Sequence, residues 1–199
     1  MRRVMLLAML TLALPIAAVA NSHVDFNALG GTLSGSSAGL KLTGSTLQQV
    51  SNLYGTPLSV GSNLGTVSFT TGALLSVLAN GFTFSGAGST FTIVGNGNGV
   101  PSGTIFTGSF VSPVTLTESG TGPHSYFLTG VVAGTLSNGG LASGPVILNF
   151  ATPNTWMGEP IGVGSVDTTL VVPEPGTLGL LGTGLLAVGG LLHRKRRNG

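Results

Sequence analysis

The chain has 199 residues, 34 of them Gly, and only 6% charged side chains, far below the roughly 25% usual for soluble domains. It has no cysteine, which excludes a disulfide framework, a thiolate metal site and a cysteine nucleophile. Most of its basic residues lie at the two ends; residues 21–172 keep Lys41 against Asp25, Glu118, Glu159 and Asp167, a net charge of −3 by count, which excludes a nucleic-acid partner because no basic patch is left to neutralise phosphate.

Residues 1–20 read as a secretory signal peptide. Arg2 and Arg3 form a positive start, residues 4–14 an apolar run too short for an ordinary span, and Pro15 a break. Ala18 and Ala20 supply the small residues expected before cleavage, so the mature chain should begin at Asn21. The general secretion machinery is the expected first partner. Basic residues stay on the cytoplasmic side, so what lies between the two basic ends is expected outside.

Residues 21–171 read as a Gly/Ser/Thr-rich β-domain. Val67 and Phe69 share one face of 65–71. Apolar or alternating runs follow at 73–78, 81–85, 90–94, 104–110, 114–117, 125–129, 131–137 and 146–150, and Val166, Thr168, Leu170 and Val172 close the series on one face. Period 2 with β-branched and aromatic residues is the strand signature. Asn80-Gly81, Asn96-Gly97, Asn98-Gly99 and Asn138-Gly139 are turn pairs suited to positive φ. The spacing of runs and turns predicts an all-β fold, a β-sandwich or jelly roll. One helix candidate stands out at 45–54, where Leu47, Val50 and Tyr54 fall at helical spacing.

Chemistry-bearing patterns are sparse. Gly35, Ser37 and Gly39 match Gly-x-Ser-x-Gly, a pattern that marks a nucleophile only on a strand–turn–helix elbow, and His124 with Asp167 or Glu159 would have to complete it. Glu118 and His124 can approach across a turn, but two ligands do not make a metal site. Paired carboxylates for glycoside hydrolysis would have to come from Asp25, Glu118, Glu159 and Asp167. Nothing calls for a cofactor. Tyr54, Tyr126 and Trp156 are the candidate sugar contacts, because an aromatic face can stack on a sugar ring; Trp156 is the foremost, between Pro153 and Pro160.

The last segment, 172–199, is an address. Residues 176–192 carry no charge; at about 1.5 Å per residue they reach roughly 25 Å, the short end of a bilayer core. No polar face appears at 3.6-residue spacing, so a transmembrane helix is expected rather than a packed surface helix. Arg194, Lys195, Arg196 and Arg197 then stop the segment. On the other side stand Val172, Pro173, Glu174 and Pro175, where the prolines favour extended, accessible backbone.

Those three parts in that order resemble the PEP-CTERM protein-sorting signal. The resemblance implies a Gram-negative source, and recognition by exosortase, a membrane-embedded cysteine transpeptidase-like enzyme that cleaves near Pro-Glu-Pro. It also implies a link to exopolysaccharide and biofilm. The expectation is an inner-membrane-anchored precursor that becomes a cell-envelope, surface or matrix protein without enzymatic activity. The alternative is a carbohydrate-binding or adhesive module with polysaccharide as partner; a secreted serine hydrolase is less favoured.

Overall fold

The computed structural model describes residues 22–119 and 124–173 of the chain. Among them the chain runs through β1 (Ser22–Leu29), β2 (Thr32–Ser36), β3 (Gly39–Leu53), β4 (Thr56–Thr70), β5 (Leu74–Leu78), β6 (Gly81–Phe84), β7 (Thr90–Asn96), β8 (Ser102–Phe110), β9 (Val114–Ser119), β10 (His124–Leu136), β11 (Leu141–Thr152), β12 (Ile161–Gly162) and β13 (Ser165–Val172), with no helix among the described residues. The all-β expectation holds. Three of the four Asn-Gly pairs place their glycine at positive φ, at Gly97, Gly99 and Gly139; Gly81 instead opens β6 opposite Leu78, and the turn there is Ala79-Asn80.

The two-sheet sandwich or jelly roll does not form; one sheet closes on itself. The order β11-β13-β1-β3-β4-β7-β8-β10 is completed by pairing of β10 with β11. The ring closes because β10 is shared. One edge pairs with β11 along its length, from His124 opposite Thr152 to Thr135 opposite Leu141. The other edge pairs with β8 over Val132 to Leu136 and with β9 over Ser125 to Thr129. Eight strands leave an interior just wide enough for side chains to fill. Off the ring, β9, β6 and β5 continue as a flap, and β12 pairs with β2.

Alternation selects what fills the interior. In β10, Tyr126, Leu128, Val132 and Leu136 point inward and are buried, while Phe127 and Val131 point out. In β11, Ala142, Val146, Leu148 and Phe150 are inward. Phe91 stacks on Phe69 (6.2 Å between centroids) and meets Phe106 and Phe110 edge-on (6.1 and 6.0 Å), the arrangements that ring quadrupoles favour. Gly130 makes room for this cluster, since a Cβ there would lie 2.8 Å from the Phe110 ring. The interior is apolar, whereas the lumen of a membrane-spanning barrel is polar.

The helix expected at 45–54 is instead part of β3. Leu47 and Val50 are both buried, although three residues apart they should face opposite sides of a strand. The register explains it: Ala28 pairs with Leu47 and Asn27 with Gln49, so Gln48 is an extra residue that flips the phase. A bulge thus copies helical spacing in the sequence. Tyr54 lies beyond the strand in a two-residue turn with Gly55, both at positive φ, and is exposed.

Residues His23–Val172 make one compact unit. From β1 through β3, β4, β7, β8, β10 and β11 to β13, each strand pairs antiparallel with the next, so alternation round the ring puts the start of β1 and the end of β13 at the same rim. The β3–β4 and β10–β11 hairpins share that rim, joined by Tyr54 Oη and Ser137 Oγ at 2.5 Å.

Candidate functional site

The sorting segment starts from the barrel without a spacer. Val171 is still paired with Ser143, and Val172 is half-buried against the core. Pro173 ends the strand and is exposed; a proline supplies no amide to a ladder. Glu174, Pro175, the expected span 176–192 and the basic cluster Arg194, Lys195, Arg196 and Arg197 lie outside the described residues, as does the expected signal peptide with Ala18 and Ala20. No helix among the described residues is long and apolar enough to cross a membrane.

Gly35, Ser37 and Gly39 sit on a hairpin, not on an elbow. Ser36 pairs with Gly39, leaving Ser37 and Ala38 as a two-residue turn between β2 and β3. Both glycines have packing reasons. A Cβ on Gly35 would lie 2.8 Å from the Trp156 ring and from Leu40 Cδ2. Gly39 has φ +135°, and a Cβ there would lie 2.7 Å from the carbonyls of Thr71 and Gly72. The strand–turn–helix context that makes such a serine a nucleophile is not what surrounds Ser37.

Trp156 and Tyr126 are buried, 2% and 1% exposed. Tyr126 stacks on Phe150 at 5.0 Å, and Trp156 meets Phe150 and Tyr126 edge-on at 5.4 and 6.4 Å. Their ring faces are taken up by the core and leave none for a sugar. The polar atoms are used as well: Trp156 N donates to Tyr126 Oη at 2.9 Å, and Trp156 Nε1 to the Glu159 carbonyl at 2.7 Å. Burial pushes the Tyr126 hydroxyl above its ordinary 10.0; the Trp156 amide pulls it back, and the Glu118 charge pushes it up again. Of the three aromatic candidates, Tyr54 alone is exposed, at 42%.

The acids are dispersed. Glu118 meets His124 Nδ1 across the β9–β10 hairpin, as the sequence suggested. Asp25 accepts from Ser51 Oγ at 3.0 Å. Asp167 accepts from Asn27 Nδ2 and from Ser165 Oγ, the latter at 2.9 Å. Asn149 Nδ2 extends this row by donating to Ser165 Oγ at 2.8 Å. Asp25 and Asp167 therefore line one shallow depression with Asn27, Gln49 and Thr169, but as links of a polar ladder tying β11, β13, β1 and β3. Sequence reading missed this ladder because its members are up to 140 residues apart. No cluster of three or more His, Asp or Glu able to hold a metal occurs among the described residues.

Comparison with known proteins gives one finding. Residues 171–197 match the model of the PEP-CTERM protein-sorting motif. The match takes in Val172, Pro173, Glu174, Pro175 and the whole basic cluster, so the chain carries this sorting motif at the end of its barrel. No curated protein and no solved structure matches the chain.

Proposed function

We propose that this chain is an exported structural or surface protein of the cell envelope or extracellular matrix of a Gram-negative bacterium, made without enzymatic activity and processed by an exosortase-like enzyme. In this reading the first 20 residues direct export. The apolar segment 176–192 and its basic stop hold the precursor in the inner membrane until the chain is cut near Glu174. The product is the β-barrel, released or transferred into a polysaccharide-rich matrix. The observation that carries the reading is the sorting motif at 171–197, which begins within the last two residues of β13. The sparse charge and the structural use of Gly35, Gly39, Trp156, Asp25, Glu118 and Asp167 support a non-catalytic barrel.

The test is intact mass spectrometry of the protein recovered from its native host, from cells and from medium. A product starting at Asn21 and ending near Pro173 to Pro175 is expected. A mass that retains Arg194 to Arg197 in every fraction overturns the processing and leaves a permanently anchored barrel.

A further inference from the structure

The ring has no free edge, but among the described residues the flap has one. β5 is the last strand of the sheet, with β6 on one side and, among the described residues, no strand on the other. Its outer side is met at Leu74, whose amide donates to the Ser37 carbonyl at 2.9 Å. From Leu75 onward no strand or backbone hydrogen bond meets this edge among the described residues. Leu78 pairs with Gly81 around a two-residue turn, which makes them a hydrogen-bonded pair. The next pair, Val77 with Phe82, is then a non-hydrogen-bonded one, so the Val77 amide and carbonyl point to the open edge.

The side chains tell the same story. Leu116 pairs with Phe82, and Phe82 with Val77, so the three form one row on the core-facing side. Leu116 is fully buried, Phe82 half-buried, and Val77 is 69% exposed. The apolar face continues past the point where the core covers it. Leu75 and Leu78 beside it are exposed too. The sheet's other end is built differently: β12 has only two residues and follows Glu159 and Pro160, the shortness, charge and proline that block edge pairing. β5 has five residues, no charge and no proline.

We propose that β5 pairs antiparallel with β5 of a second copy of this chain, about a twofold axis at Val77. That register sets the outward amide and carbonyl of Val77 against the same groups of its mate. It keeps Leu74, already bonded to Ser37, out of the new ladder. It joins the two flaps into one six-stranded sheet, whose apolar row runs Leu116, Phe82, Val77 and then the same three residues in reverse. An uncharged strand meets no like-charge conflict with itself, and an isologous contact needs only this self-complementarity. A strand pair this short buries less than the roughly 1,200 Å² of a standard interface, so the contact belongs to the weak class that fills at high local concentration, as on a membrane or in a matrix.

The chain has no cysteine, so Val77→Cys in the full-length protein provides a single thiol. Opposed residues of a hydrogen-bonded antiparallel pair have Cα atoms about 5.5 Å apart, within disulfide reach. On mild oxidation of the detergent-purified chain, Val77→Cys should form a covalent dimer about tenfold faster or more than Val60→Cys, because only a held pair has a raised effective concentration. Val60 on β4 is also 69% exposed, and association through the apolar tail would raise both rates alike. Val77→Lys, which sets like charges opposite each other, should lower the dimer fraction of the otherwise cysteine-free chain in sedimentation. Equal oxidation rates, or an unchanged dimer fraction in Val77→Lys, overturn the proposal.

Discussion

The backbone amide of Trp156, in the loop after β11, donates to the hydroxyl of Tyr126 at the start of β10, at 2.9 Å and out of solvent. That bond ties the loop to the barrel. Tyr126→Phe leaves the amide buried without an acceptor and should cost about 1–3 kcal/mol in urea unfolding. It should also change the alkaline limb. The unfolded chain releases the phenolic proton near 10.0, whereas the folded chain holds it to higher pH. Stability from this group is therefore full below pH 10.0 and lost as pH rises from there through the folded value. Tyr126→Phe should flatten that loss; an unchanged alkaline slope would count against the buried hydroxyl as its source.

Gly35 and Ser37 separate packing from catalysis. Gly35→Ala pushes a methyl to 2.8 Å from a buried indole and a buried leucine, and overpacking of this kind costs about 1–3 kcal/mol. Ser37 is exposed in its turn, so Ser37→Ala should stay within about 0.5 kcal/mol of the parent. Urea titrations of the two variants check the order. Loss of an ester-hydrolysing activity in Ser37→Ala at unchanged stability would reverse the reading of this motif.

Phe91 is the hub of the larger aromatic cluster, in ring contact with Phe69, Phe106 and Phe110. Phe91→Ala should cost about 3–5 kcal/mol, a transfer loss plus the cavity left behind. Phe127, one strand position from buried Tyr126 but on the outer face, should tolerate the same change within about 0.5 kcal/mol. Similar costs for the two would mean that inside and outside are wrongly assigned along β10.

Glu174 stands two residues beyond the last barrel strand. Glu174→Ala should leave barrel stability unchanged while abolishing the tail-less product in the host, read by intact mass. Normal processing of this variant would remove the acidic residue from the recognised motif.

Much of this protein is set by local pattern. Alternation in residues 90–94, 125–137 and 146–150 assigns strands and their buried faces without reference to the rest of the chain, because side-chain direction in a strand has period 2. The tail is equally local: a Pro-Glu-Pro motif, an uncharged run and a basic stop are contiguous. What escapes local pattern is whatever depends on distant partners. The bulge at Gln48 makes Leu47 and Val50 look helical until β1 supplies the register. Trp156, between Pro153 and Pro160, is no more than a candidate sugar contact until Tyr126, Phe150 and Gly35 close around it. Closure of the sheet into a barrel rests on β13 lying beside β1, linked by Asn27 and Asp167 at 140 residues' separation. Period 2 decides which face of a strand is buried, but only three-dimensional packing decides which edges meet, because every edge offers the same amide and carbonyl groups.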